Sequence, residues 1–214
     1  MPKERLIIVG GGGFGRELMS WAADCHEAGT LPELGGVIDD DATILDGYRP
    51  PVGVIGSVSD FQPGATDRLV TAIGNPGTKR RVVEMLAGRG GQFVSLIHPS
   101  AVIARSASMG EGAVFCPLSM ASADAKIGRF VIVNTLSSVG HDARVGDFST
   151  LSAHVDLTGF VALGDGVMVG SGAKVVPRVK IGDAATIGAG STVYRNVAAG
   201  TTVFAPPAKV MART

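Results

Sequence analysis

The sequence predicts two domains of different class, a small parallel α/β sheet over residues 1–97 and a parallel β-helix over residues 98–214. Three observations carry this reading. Short apolar runs alternate with helical stretches through the first 97 residues. From Ile103 onward an apolar residue recurs at every sixth position. Glycine fills 31 of 214 positions while aromatics make up 5%, which points to a tightly coiled backbone with little room for rings.

In the first domain, Arg5 to Val9 reads as a buried strand, Gly15 to Ala28 as a helix and Gly36 to Ile38 as a second strand. Arg68 to Ile73 follows as a strand, Thr78 to Ala87 as a helix and Phe93 to Ile97 as a short strand. That order is Rossmann-like but too short for a full dinucleotide fold, which needs two βαβαβ halves. Gly10, Gly12 and Gly15 satisfy G-x-G-x-x-G between strand and helix, a phosphate cradle in which backbone approaches an anion at a helix N-terminus. Asp39 and Asp40, after the second strand, stand where a ribose or base contact is expected. With a complete fold this would indicate NAD; the missing half favours a nucleotide-linked sugar. Lys79, Arg80 and Arg81 open the next helix; a solvated basic face is the favoured reading, with contact of one of them to a diphosphate as the alternative.

The second domain rests on its period. Ile103, Met109, Phe115, Ala121 and their successors at six-residue steps to Val193 are all apolar, and the residue four positions after each is Ala, Ser or Val. A helix of 3.6 residues per turn would carry such anchors around every face, so the period excludes a helical stripe. Short strands joined by tight turns fit it, with anchors inside and small residues at the corners. Sixteen anchors at three strands per coil predict about five coils, stacked about 4.8 Å apart.

Composition narrows the function classes. At 45% hydrophobic residues and zero net charge the chain is a folded one, with no long-range field to gather nucleic acid. Cys25 and Cys116 lack metal-ligand spacing and suggest buried, reduced thiols. The apolar run Leu6 to Val9 is too short for a signal peptide or membrane span, so a cytoplasmic protein with no membrane partner is expected. Of four histidines, His141 lies two residues after the anchor Val139, where side chains leave the prism, and the carboxylate of Asp142 follows it. Imidazole is the side chain best suited to accept a proton near neutrality. His154 is also off the anchor register, His26 ends a helix and His98 precedes a proline; the last reads as structural.

Ile181-Gly182-Asp183-Ala184-Ala185 and Ile187-Gly188-Ala189-Gly190-Ser191 resemble the repeats of hexapeptide acyltransferases. Joined to the start Ile7-Ile8-Val9-Gly10-Gly11-Gly12-Gly13-Phe14-Gly15, they resemble the bacterial sialic-acid O-acetyltransferase and nucleotide-aminosugar N-acetyltransferase group. That resemblance implies a left-handed β-helix, a homotrimer, acetyl-CoA as co-substrate and no metal. It implies acetylation of the amino group of a nucleotide-linked amino sugar, GDP-perosamine first and UDP-linked 4-amino sugars next. By the same resemblance the stretch Asn134 to Asp142 carries the catalytic base His141 and its helper Asp142, with Asn134 on the acceptor side. Gly13, Phe14, Gly15, Asp39, Asp40 and Gly77 are carried over as nucleotide-sugar contacts, and Thr150, Ser171, Gly172 and Lys180 as coenzyme contacts. The loop Phe204 to Lys209 resembles the family's closing loop, with Ala-Pro in place of its usual Gly-Asn.

Three other readings stand beside this one. A sugar hydroxyl is an alternative acceptor for the same base. A β-helical zinc carbonic anhydrase needs three convergent histidines, and His98, His141 and His154 lack the close pair. A non-catalytic nucleotide-sugar-binding protein would keep the loop and lose the chemistry.

Overall fold

A computed structural model describes residues 3–206. The N-terminal sheet has five parallel strands in the order β3-β2-β1-β4-β5: β1 Arg5–Val9, β2 Leu34–Ile38, β3 Val54–Gly56, β4 Asp67–Thr71 and β5 Gln92–Phe93. β1 lies at the centre, and Leu6, Ile7, Ile8 and Val9 are fully buried, which is why this strand is continuously apolar rather than alternating. Helix α1, Gly13–Glu27, turns Leu18, Met19, Ala22 and Cys25 inward. Helix α2, Pro76–Gly88, begins with a proline at N1 and with Asn75 Oδ1 accepting from the Thr78 amide at 2.9 Å, a side-chain N-cap. Two expectations change here. β3 was not foreseen, because three residues after Gly53 are too few for a periodic signal. The strand expected over Phe93 to Ile97 is split: Gln92–Phe93 pairs with β4, whereas Leu96–Ile97 pairs with Val114–Phe115.

That second piece opens the β-helix. Eighteen two-residue strands, from Leu96–Ile97 to Thr202–Val203, form three parallel sheets of seven, six and five strands. This makes six coils, one more than the anchors from Ile103 to Val193 predict, because the ladder extends beyond both ends of that run. Successive strands of a sheet lie eighteen residues apart, as Ser138↔Asp156 and Val139↔Leu157, except at the C-terminal end, where Thr186↔Thr202 and Ile181↔Val197 are sixteen apart. The anchors Val133, Val139, Leu151 and Leu157 and the small residues Ala125, Ala143 and Val155 fill one continuous core. Three residues after each anchor from Met109 to Ile187 the chain takes a left-handed turn, with φ between 54° and 67° at ten non-glycine positions, among them Leu118, Asp142 and Phe160. Each such turn is unfavourable by about 1–2 kcal/mol for an L-residue. The coil-to-coil hydrogen bonds that it permits offset the cost.

The residue before each anchor points outward and reports what covers its face. On the first face, which contains Val114–Phe115, Ile132–Val133 and Thr150–Leu151, the outward Val114, Ile132 and Thr150 are buried. Val114 and Ile132 pack in one cluster with Leu6, Leu18 and Cys25 of the N-terminal domain. The second face carries Val102–Ile103, Met120–Ala121 and Ser138–Val139, and its outward Val102 and Met120 are exposed. The third carries Lys126–Ile127, Arg144–Val145 and Lys180–Ile181, with all three basic side chains in solvent. α2 sits against the corner between the third and first faces, where Val83 packs on Phe130 and Phe148.

Lys79 corrects an expectation. It lies on the buried stripe of α2 with Pro76, Val82, Val83 and Leu86, and it is fully buried rather than solvated. Its Nζ donates to Thr150 Oγ1 at 2.9 Å and to the Ser149 carbonyl at 3.2 Å.

Two outcomes are expected. Leu157→Ala removes a fully buried anchor and lowers stability by about 2–5 kcal/mol in urea titrations. Burial pushes the Lys79 pKa down from 10.5 to about 7. Between those values the unfolded chain binds the proton and the folded chain does not, so stability rises with pH from about 7 to about 10. The unfolding free energy of the native protein minus that of Lys79→Met should climb across this window, and a flat difference contradicts the assignment.

Candidate active site

His141 and Asp142 occupy the corner between the second and third faces. Val139 and Ala143 turn into the core on either side, so the two residues between Gly140 and Ala143 must leave the prism. Asp142 takes the left-handed turn position at φ 59°, a conformation that aspartate tolerates better than most residues. Its Oδ2 lies 2.9 Å from His141 Nδ1. A carboxylate can only accept, so this contact places the ring proton on Nδ1 and leaves the Nε2 lone pair free. The side chains are 60% and 42% exposed, open to a ligand.

The next coil shapes the seat of the ring. A Cβ on Gly159 would collide with His141 Nε2 and lie 2.6 Å from Cε1, so the imidazole rests where another side chain would stand. Phe160 meets the ring edge-on, with centroids 5.2 Å apart and planes at 89°, and its amide donates to the His141 carbonyl at 2.9 Å. Arg178 stacks over the Phe160 ring, 4.6 Å from its centroid. A cleft of about 410 Å³ opens beside the pair on the third face, lined in part by Lys126, Asp142, Arg144 and Phe160. Sequence reasoning missed Gly159 and Phe160. The available signal was their position one coil, eighteen residues, beyond His141 and Asp142.

The second part of the site is the loop between β1 and α1. Gly10 has φ 104°, which requires glycine, and a Cβ on Gly15 would collide with the Gly10 carbonyl. A Cβ on Gly12 would meet nothing within 4 Å, and α1 begins with no side-chain cap and no acidic residue in its first turn. Uncapped N–H groups beside open space form a seat for an anion. Gly13 is exposed at the opening of α1, and Phe14 packs edge-on against Trp21 at 6.1 Å. Asp39 braces this loop, because its Oδ2 accepts from the Gly11 amide at 2.7 Å and its Oδ1 from the Asp41 amide at 3.0 Å. Asp40 accepts from the Ser59 amide at 2.9 Å. Both carboxylates keep further lone pairs for a ligand. Gly77 is exposed in the first turn of α2, beside a cleft shared with Arg80, Asp165 and Gly166.

The remaining expected positions are spread around the prism. Asn134, Ser171 and Gly172 lie at the corner between the first and second faces, two coils apart; the Asn134 Oδ1 accepts from the Thr135 amide at 2.6 Å. Lys180 is exposed on the third face, two coils beyond Arg144. Thr150, expected against the coenzyme, is instead 4% exposed under α2 with Lys79 on its hydroxyl. The six-residue pattern shows that it points outward but not that its face is covered. His98 ties the first coil to α1 through Asp24 Oδ2 at 3.0 Å and contacts Ser100 Oγ at 2.7 Å. His154 is exposed at the first–second corner, and His26 contacts the Leu31 carbonyl at 3.0 Å. Phe204 to Pro206 are exposed or half-buried, and the rest of the expected closing loop, Pro207 to Lys209, lies outside the described residues. Among the described residues no group of three metal-ligating side chains converges.

Comparison with known proteins agrees with both halves. Residues 5–86 match the PglD N-terminal domain, and residues 161–195 match the bacterial transferase hexapeptide of six repeats. The chain is 32% identical over 118 residues to UDP-N-acetylbacillosamine N-acetyltransferase of Bacillus subtilis (strain 168), a match covering 52% of this chain and about half, 50%, of the relative. Among solved structures it resembles a histidine-to-asparagine variant of perosamine N-acetyltransferase from Caulobacter crescentus in complex with CoA and GDP-perosamine. There the TM-score is 0.85 at 29% identity, over 98% of this chain and 97% of the other. The acetyltransferase domain of PglB from Neisseria gonorrhoeae FA1090, in complex with acetyl coenzyme A, gives 0.84 at 29% identity over 98% and 100%. WeeI from Acinetobacter baumannii AYE gives 0.84 at 28% identity over the same shares. The chain thus joins a region matching the PglD N-terminal domain to hexapeptide repeats on a parallel β-helix, and along its described length it is similar to the perosamine, PglB and WeeI structures.

Proposed function

We propose that this protein transfers the acetyl group of acetyl-CoA to the amino group of a nucleotide-linked 4-amino sugar, with His141 as general base. The observation that carries the proposal is the His141 ring, bound at Nδ1 by Asp142 and seated with Nε2 over Gly159. The acceptor amine attacks the thioester carbonyl while Nε2 takes its proton. The C–S bond then breaks, and the imidazolium returns the proton to the leaving thiolate, so the histidine ends as it began. Asp142 holds the tautomer and stabilises the imidazolium between these steps. Direct attack needs no covalent acyl-enzyme.

The acceptor diphosphate is assigned to the open backbone at Gly12 and Gly13 and the N-terminus of α1. Asp39, Asp40 and Gly77 stand around the nucleoside, and Phe14 and Gly15 shape the loop. GDP-perosamine is the preferred acceptor and UDP-linked 4-amino sugars come next, in keeping with the Caulobacter and Bacillus relatives. Coenzyme A runs along the β-helix past Ser171, Gly172 and Lys180. Within one chain the His141 corner and the corner of Asn134 and Ser171 lie at opposite edges of the second face, so one ligand meets both where two copies abut. The exposed Val102 and Met120 on that face, with Leu118 and Leu136 along its edge, make it the place for such packing in a homotrimer.

Thiol release from acetyl-CoA, measured against UDP-, GDP- and dTDP-linked 4-amino sugars and the matching 4-hydroxy sugars, tests the reading. Turnover is expected on an amino sugar and should fall about 10²–10⁴-fold in His141→Ala; release with hydroxy sugars alone, or with none, contradicts it. Gly159→Ala, which displaces the ring, should lower turnover at least about tenfold with little change in melting temperature. Native turnover in that variant would show that the seat is irrelevant. Sedimentation should give three times the 21.8 kDa chain mass, and a fully active monomer would refute the shared cleft.

A further inference from the structure

The structure assigns Lys79 the role of a positioning residue that fixes the acceptor-binding loop on the coil bearing His141. This rests on the proposed transfer reaction and adds a residue outside its chemistry. α2 carries the loop Gly74 to Gly77, which follows β4. β4 in turn pairs with β1, and the Ala72 amide donates to the Val9 carbonyl at 2.8 Å. The position of α2 against the β-helix therefore helps to set where an acceptor held by these two loops stands relative to His141.

The contacts that seat α2 differ in how well they define that position. Val83 on Phe130 and Phe148 is an apolar contact with no preferred register. Arg80 reaches Asp165 at 3.9 Å through two partly exposed side chains, too long and too wet to fix a position. Lys79 is fully buried, and its Nζ donates to two acceptors of fixed geometry, the Ser149 carbonyl and the Thr150 hydroxyl. No carboxylate pairs with it among the described residues.

Burying a lysine without a counter-charge is costly, either as a desolvated cation or through the proton it gives up, and a methionine of similar length would fill the space at lower cost. What lysine adds is direction. Ser149 and Thr150 follow His141 in the same coil, across the third face, and the Ser149 hydroxyl is itself locked, donating to the Gly164 carbonyl and accepting from the Val167 amide at 3.0 Å each. The link therefore runs from the nucleotide loop through Lys79 into a rigid coil whose next corner holds the base.

The test compares the full-length native protein with Lys79→Met, Thr150→Val and Thr150→Ser. Lys79→Met and Thr150→Val should lower kcat about tenfold while both KM values stay within about twofold. The amides of residues 75–81 should exchange at least about tenfold faster with no lower urea midpoint. Thr150→Ser keeps the hydroxyl and should restore native kcat and exchange. Native kcat and exchange in Lys79→Met would overturn the proposal, as would a fall in urea midpoint with both KM values rising together, the pattern of a merely structural residue. If Lys79→Met does not fold, Thr150→Val decides alone. A native protein without transferase activity would count against the reaction, and the exchange rates would still decide whether Lys79 anchors the loop.

Discussion

Every feature of the β-helix depends on one constraint, that residues eighteen apart must stack strand on strand. The rise per coil is fixed by backbone hydrogen bonding at about 4.8 Å, so each side chain has a partner directly above and below. Bulky anchors are tolerated inside because small residues occupy the alternate inward positions. At the corners the backbone must turn left-handed, and the side chains there are thrown outward in vertical columns. His141 belongs to one of these columns, and Gly159 above it is the vacancy that the ring fills.

The same stacking distributes charge. Along the corner under α2, Asp147, Asp165 and Asp183 follow one another coil by coil, and each carboxylate accepts from a backbone amide one coil back, at 2.8–2.9 Å. Arg129 closes the end of this ladder on Asp147, and the amide and the guanidinium hold that carboxyl below its usual range against the opposing effect of burial. These acids are therefore structural. The bases of the third face, Lys126, Arg144 and Lys180, have no ion-pair partner among the described residues and leave that side open to anions.

How much of this could be read beforehand varies with the residue. The β-helix was legible because a period of six is incompatible with a helix and was unbroken over sixteen anchors. The glycine loop was legible because its spacing follows from steric needs, and Gly10, Gly12 and Gly15 meet three different ones. Thr150 was misplaced because the repeat gives inward and outward but not covered and uncovered; apolar Val114 and Ile132 in the same column were the hint. Lys79 was misread from its charge and its neighbours Arg80 and Arg81. Its spacing to Val82, Val83 and Leu86 puts it on the apolar stripe, a signal that charge obscured. The proposed pairing of Ser171 with the His141 cleft has no signal within one chain, since the two lie at different corners.

Catalysis by His141 depends on where the acceptor amine lies relative to the imidazole. A crystal structure with coenzyme A and a nucleotide-linked 4-amino sugar bound tests this directly. The diphosphate is expected at the Gly12–Gly13 backbone and the amine about 3 Å from Nε2 of a His141. A fully occupied acceptor on the glycine loop whose amine points away from every His141 in the assembly would contradict it.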